Sequence, residues 1–235
     1  RKQKRKSMEG RLFTFLGAIG GHGQEWIILS HYVLVIGIIF IIARAATRKL
    51  QLVPTGSQNV LEAFVGGIIS MGADTMGEKN ARTYMPLIGS LALVIFVSNM
   101  IGVIPGFEAP TSNINFTLSL ALIVFVYYNY LGIKKNGFVA YFKHFMGPMP
   151  VLAPLMFPIE IISHLSRIVS LSFRLFGSIR GDDMFLMVLL MLVPWILPLP
   201  GFFLLTAFGV LQAFIFSILT YVYIAGSIMM EHEEH

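Results

Sequence analysis

Arginines, carboxylates and hydroxyls recur at helical spacing through the most apolar half of this chain. Glu160, Ser163, Arg167, Ser170, Arg174, Ser178 and Asp182 follow one another at steps of three or four, the spacing of one helix face. A charge at mid-bilayer costs about 2.5 to 3.5 kcal/mol even on a lenient insertion scale, so such residues normally face a protein interior or a water-filled cavity. The chemistry this pattern suits is ion passage. Arg174 cannot release its proton, which leaves it two roles: a fixed positive barrier, and an attractor for a passing carboxylate. The plainer alternative is an arginine that snorkels or pairs structurally. Glu160 and Asp183 can titrate and so can carry protons alongside water and hydroxyls; their alternative is ion pairing with Arg167 and Arg180. Ser163, Ser170 and Ser178 either line a hydrated groove or permit close helix packing. His164 lies beside the row, not on its centre, and is a further candidate, as is Asp182. Gln212 is the single amide of an otherwise apolar segment and needs a partner, for which Arg174 or the serine row is the obvious choice.

Other chemistries fail on spacing. Glu231-His232-Glu-Glu-His235 resembles a zinc-protease signature, but its histidines are three apart where that signature needs four on a helix. The tail therefore reads as solvated, and no metal site is expected. With no cysteine, neither a disulfide framework nor a thiolate site exists. No glycine-rich dinucleotide loop, phosphate-binding lysine loop or nucleophile elbow is present, so no cofactor is expected.

The elements that must hold the polar row are membrane helices. Of 235 residues, 56% are hydrophobic and 12% charged, with mean hydropathy +0.76 and several apolar runs near the ~20 residues that span hydrocarbon. Apolar spans are expected at 26–46, 84–104 and 116–133. Residues 56–76 differ. Val60, Leu61, Phe64, Val65, Ile68 and Ile69 make one apolar stripe there, as in a helix lying in the interface plane. Residues 152–192 form a stretch of roughly 60 Å if helical, too long to stand upright in a core of about 30 Å. It either breaks near Gly177 or Gly181 or lies strongly tilted, and the unbroken polar stripe favours tilt. After a turn at Pro194-Trp-Ile-Leu-Pro198-Leu-Pro200, residues 202–228 form the last helix. The whole reads as one all-α polytopic membrane domain, 1–235, ending in a hairpin of two long tilted helices.

The net charge of +5 does not indicate nucleic acid, because basic residues sit at the ends of apolar runs and not on one aromatic-interleaved face. Arg44, Arg48, Lys49, Lys79, Arg82, Lys134, Lys135 and Lys143 fall on one side under the positive-inside rule, putting the N-terminus outside and the C-terminus in the cytoplasm. Only Arg1 to Lys6 and Arg11 oppose this. The Arg1–Lys6 run reads either as a basic tail or as lying outside the native frame, which Met8-Glu-Gly would then open. The first apolar stretch has no small-residue cleavage site after it, so a cleaved signal peptide is not expected.

The run Pro158-Ile-Glu160-Ile-Ile-Ser163-His-Leu-Ser166-Arg167-Ile-Val-Ser170-Leu-Ser-Phe-Arg174-Leu-Phe-Gly177 closely resembles the core signature of subunit a of F-type ATP synthases. Ala109-Pro-Thr-Ser-Asn113-Ile-Asn115-Phe-Thr117-Leu-Ser119 and Leu211-Gln212-Ala213-Phe214-Ile215-Phe216 are similar to that family in the same order. The resemblance covers nearly everything after about Leu50. It implies a non-catalytic stator subunit of the ATP synthase complex in a bacterial inner membrane, lying in the bilayer beside a ring of c subunits and the b subunits of the peripheral stalk. It also implies two offset aqueous half-channels. Arg174 matches the essential arginine facing the ring carboxylate, and Glu160, Ser163, Arg167 and Ser170 match positions of the inner half-channel. Asp183 matches the outer acid, and Gln212 the glutamine packed near the arginine. Asn115, with Asn113 as a further candidate, is expected on the outer side. This chain departs from the family at Ser178, where many members have asparagine, at Arg180, an extra cation, and at Asp182-Asp183, which replaces a single acid. Leu205 stands where many bacterial members carry a histidine.

Two other readings compete with the rotary one. A self-contained transporter predicts repeated broken helices in two halves, and no such symmetry is visible. An intramembrane hydrolase using Glu160 and His164 needs a ligand cluster or nucleophile across the bundle, and the last helix offers only Gln212. Whether protons or sodium ions pass is not written in this chain.

Overall fold

The computed structural model describes residues 24–48, 56–104, 106–137, 141, 153–192 and 198–228. Six helices account for most of them: α1, Gln24–Thr47; α2, Ser57–Met76; α3, Glu78–Val103; α4, Ile114–Asn136; α5, Ala153–Leu192; and α6, Pro198–Ile228. A single 3₁₀ turn, Pro110–Ser112, precedes α4, and no strand occurs among the described residues. Four helical segments are long and apolar enough to cross a membrane: Ile28–Thr47, Glu78–Val103, Ile114–Asn136 and Leu199–Ile228. The charged row on α5 keeps that helix out of this group despite its 40 residues. Residues 1–7, Lys49, Lys143, residues 193–197 and the Glu231–His235 tail lie outside the described residues; Pro198-Leu-Pro200, expected in the turn, instead open α6, where a proline in the first helical turn gives up no intrahelical hydrogen bond.

Local chemistry sets the helix boundaries. The Asn113 side chain accepts a hydrogen bond from the Asn115 backbone N–H at 2.9 Å and so caps the start of α4. Lys134 and Lys135 occupy its last turn, where cations suit the negative end of the helix dipole. Gly137 then ends the helix at φ +81°, and Gly77 takes the same φ as the single residue between α2 and α3. Glycine adopts that left-handed backbone without a Cβ penalty. The longest helix, α5, runs unbroken through both Gly177 and Gly181. Of the two forms the sequence allowed for this stretch, the continuous one is found. At 1.5 Å per residue it spans about 60 Å, twice the hydrocarbon thickness, so upright placement within the core is impossible.

The main core collects residues from five helices, including Ile68, Ile88, Ile95, Val124, Tyr128, Leu171, Leu175, Phe216 and Tyr221, while Val35, Val97 and Ile101 join α1 to α3 in a second cluster. Glycine lets backbones come close where a methyl has no room. At Gly72 the Tyr221 ring occupies the space of a side chain, and at Gly209 the Asn99 and Met100 side chains do. Helix α2 does not present its apolar stripe as one free face: Ile68 is fully buried in the core, whereas Val60 stands 72% exposed.

Three contacts fix α4 antiparallel to α5: Tyr128 to His164, Thr117 Oγ1 to Ser172 Oγ at 3.1 Å, and the 3₁₀ turn to Arg180. The partner helix α6 is also antiparallel to α5. Arg167 faces Tyr223, Asp183 and Leu205 line one cavity, and Leu189 lies over Gly201. Asn136 Nδ2 donates to the Ser227 carbonyl at 3.1 Å, and Tyr221 Oη donates to the Ala81 carbonyl at 3.4 Å. These bonds bring the C-terminal ends of α4 and α6 and the start of α3 to one end of the bundle, with Lys79, Arg82, Lys134 and Lys135.

Candidate functional site

The polar row of α5 runs along the margin between its packed and exposed sides. Leu171, Ser172, Leu175 and Ile179 face inward and are buried. Ser166, Ser170, Phe173, Arg174, Gly177, Arg180 and Gly181 face outward, and Glu160, Ser163, Arg167, Ser178, Asp182 and Asp183 are half-buried between the two. Arg174 is exposed and forms no hydrogen bond or ion pair with a described residue. Large apolar side chains are exposed on the same two helices, among them Leu165, Val169 and Phe173 of α5 and Phe208 and Leu211 of α6. On the following turns, Gly177 and Gly181 leave open space where a side chain would stand. The guanidinium is thus an exposed charge, with no ion pair among the described residues, on a membrane helix, a costly arrangement unless something anionic meets it.

Two polar clusters flank Arg174, one on each side along α5. Toward the basic end, His164 is buried between Glu160 and Tyr128 of α4. Its Nε2 lies 3.4 Å from Glu160 Oε1, its Nδ1 lies 2.9 Å from Tyr128 Oη, and the two rings stack with centroids 5.7 Å apart. The Arg167 guanidinium stacks over the Tyr223 ring of α6 at 5.5 Å and pairs with no carboxylate among the described residues. Tyr141 is buried nearby, with its hydroxyl donating to Asn129 Oδ1 at 2.7 Å. Burial pushes this phenol above its ordinary range, while Arg167 opposes that shift and Glu160 adds to it.

Toward the other end, Asp182, Asp183, Asn99, Ala109, Leu205 and Gly209 help to line a cavity of about 20 Å³, room for roughly one water molecule. Asn99 holds its rim together. Its Nδ2 donates to the Gly209 carbonyl at 3.1 Å, and its Oδ1 accepts from the Thr111 hydroxyl at 2.7 Å. Arg180 does not pair with Asp183; its Nε donates to the Ser112 carbonyl at 3.1 Å, tying α5 to the turn before α4. On α1, His31 Nε2 accepts the Glu108 backbone N–H at 3.1 Å and anchors the same loop.

The structure thus separates the candidates into a central Arg174 and two groups. Glu160, Ser163 and Arg167 lie with one group, Asp182 and Asp183 with the other, and Ser170 and Ser178 flank the arginine. The alternative of Glu160 and Asp183 held in ion pairs by Arg167 and Arg180 does not occur. Gln212 is buried on α6 and makes no hydrogen bond with Arg174 or the serine row; the α5–α6 register sets it beside the turn at 176–178, one turn along from the arginine. Asn113 acts as the α4 cap, and Asn115 is exposed one residue inside that helix. Tyr128, Tyr223 and Asn99 were not singled out from sequence. Asn99 had a signal, an amide beside Ser98 within an apolar run. The tyrosines had none, because an aromatic in a membrane helix is ordinary. No group of three or more metal-ligating residues exists among the described residues.

Residues 27–225 match the family described as ATP synthase A chain. The chain is 58% identical over 227 residues to the ATP synthase subunit a of a Nitratiruptor species, covering 97% of this chain and 99% of the relative. It is 60% identical over 225 residues to that of Campylobacter fetus (95% and 99% covered) and 58% identical over 228 residues to that of Helicobacter hepaticus (97% and 100% covered). An exposed arginine with no ion pair among the described residues, two separated polar clusters and a match over most of its length agree: this chain belongs to the ATP synthase A chain family, a membrane-embedded, proton-translocating stator component of F-type ATP synthase that is not itself catalytic.

Proposed function

We propose that the outer face of α5 and α6 is the surface turned to a ring of c subunits, and that Arg174 meets each ionised ring carboxylate as it passes. The carrying observation is Arg174 itself: a permanent charge on a membrane helix, exposed and with no ion pair or hydrogen bond among the described residues, with two glycines on the turns beyond it. A ring carboxylate would lose its proton toward one cluster, cross Arg174 as an anion, and take a proton from the other. Glu160, with Ser163, Arg167 and Ser170, serves the inner half-channel, while Asp183, Asp182, Ser178 and Asn115 serve the outer one. Glu160 and Asp183 are about 35 Å apart along one helix, too far for direct transfer, which suits two separate entrances. Gln212 supports the helix surface behind the arginine. The energy scale is adequate, since one charge crossing 100 mV carries about 2.3 kcal/mol.

The basic end of the bundle is the cytoplasmic side in this reading, with the N-terminus outside and α2 near that interface. The exposed stripe of α1, from Trp26 through Leu29, Val33 and Ile36 to Phe40, takes lipid and the b subunits of the peripheral stalk. Arg174→Ala is the test. In membrane vesicles it should abolish both ATP synthesis and ATP-driven pumping while permitting passive proton leak, and Arg174→Lys should also fail substantially, because an ammonium lacks the planar fork. Normal coupled synthesis by Arg174→Ala vesicles sinks the proposal.

A further inference from the structure

On the surface of the bundle, α3 and α4 leave an apolar groove of about 470 Å³, lined by Leu87 of α3 and by Leu122, Ile123, Val126, Tyr127 and Tyr130 of α4. Leu122, Ile123, Val126 and Tyr130 are exposed, so the groove is open along one side. Along α4 it runs from Leu122 to Tyr130, a length of about 12 Å at 1.5 Å per residue. The Tyr127 ring meets Tyr84 of α3 edge-on, with centroids 6.5 Å apart, and so joins the two helices. One turn beyond Tyr130, Lys134 holds its ammonium over the Tyr130 ring, 5.9 Å from the centroid. Lys134 and Lys135 are exposed and have no ion pair among the described residues, whereas Arg82, near the start of α3, is taken up by Glu78 at 2.8 Å. Tyrosines grouped beside lysines mark the level at which hydrocarbon gives way to headgroups. The groove therefore descends from that level into the hydrocarbon, with a cation at its mouth.

We propose that this groove holds an acyl chain of one phospholipid molecule whose anionic headgroup is met by Lys134. The volume lies within the range of small-molecule sites, and an extended chain lying along α4 matches its narrow shape. A partner helix does not: with its side chains it is about 10 to 12 Å across, and to span the membrane it needs apolar contact over roughly 30 Å. Lys134 sets the headgroup's charge. Its ammonium is a compact point charge suited to a phosphate, and basic sites between transmembrane helices recognise anionic headgroups. The Tyr130 face holds that ammonium beside the groove. A choline lipid offers the same chain, but its quaternary ammonium brings a second positive charge toward Lys134, so the site discriminates by headgroup. The groove lies on α3 and α4, and the proposal stands apart from the reading of Arg174.

The experiment uses the whole complex, purified in mild detergent and mixed with a phospholipid that carries a photoreactive diazirine on its acyl chain and either a phosphoglycerol or a phosphocholine headgroup. After illumination, mass spectrometry of the digested protein locates the adducts. The exposed stripe of α1, with Val33, Ile36 and Phe40, serves as the reference for ordinary bilayer contact and should be labelled equally by both probes. Residues 122–130 should be labelled about five-fold more by the phosphoglycerol probe, since one lysine near anionic lipid contributes about 1 kcal/mol. Lys134→Gln should bring that labelling down to the phosphocholine level, and Lys134→Arg should keep most of the excess. Val126→Trp, which fills the groove from an exposed position, should remove labelling of residues 122–130 by both probes and leave that of α1 intact. Purification of each variant with its ring intact shows that the fold has survived. Equal labelling of residues 122–130 by both headgroups overturns the proposal, as does an excess that survives Lys134→Gln. Adducts on α1 with none on residues 122–130 overturn it too, because another chain then covers this face.

Discussion

Replacing Asn99 by leucine should loosen the end of the bundle where Asp182 and Asp183 sit, by an amount that can be stated in advance. The Asn99 amide makes two buried bonds, one to the Gly209 carbonyl on α6 and one from the Thr111 hydroxyl in the turn before α4. Measured interhelical hydrogen bonds in membranes average about 0.6 kcal/mol and reach about 1.7, so losing both predicts a total of about 1 to 3 kcal/mol. Leucine is close in volume and adds little cavity cost. Thr111→Val removes only one of the two bonds and should cost about half as much. Because the two residues share that bond, adding Thr111→Val to Asn99→Leu should cost almost nothing more. Unfolding of the purified protein in mixed detergent and SDS, followed by far-ultraviolet circular dichroism, gives the four free energies of the cycle. Full additivity of the two single effects, within the 0.3 to 0.5 kcal/mol typical of independent sites, would refute the shared bond and with it this account of how the cavity rim is held.

Two further outcomes test the packing and the orientation. A methyl added at Gly72 would sit 2.5 Å from Tyr221 Cζ and 2.9 Å from Ala81 Cβ, so Gly72→Ala should destabilise by about 1 to 3 kcal/mol and lower the thermal midpoint of the solubilised complex, with Tyr221→Leu recovering part of the loss in the double variant. In this cysteine-free chain, a cysteine at exposed Glu108 should react with an impermeant thiol reagent in intact cells, whereas one at exposed Lys135 should react only after permeabilisation; labelling of both from the same side would overturn the assigned topology.

The sequence by itself determined that this is an all-helical membrane protein, because runs of some twenty apolar residues have no other stable form in hydrocarbon. It also determined that the site is a row on one helix. Steps of three and four between polar residues, with a charge at every second position, cannot be accidental where each charge costs about 2.5 to 3.5 kcal/mol, and Arg174 stood out for that reason. Periodicity, however, says which residues share a face, not what that face meets. Only the tertiary structure decided that Arg174 faces outward while His164, one position off the row, turns inward to Tyr128. The same holds for Arg167, which stacks on Tyr223 instead of pairing with Glu160, and for Arg180, which bonds a backbone carbonyl instead of Asp183. Contacts such as Tyr128 with His164, 36 residues apart, or Asn99 with Gly209, 110 apart, depend on how α4 is set against α5 and α3 against α6. Such settings come from the fit of facing surfaces, as where Gly72 of α2 receives Tyr221 of α6 and Gly209 of α6 receives Asn99 and Met100 of α3, a property that no single stretch of sequence contains.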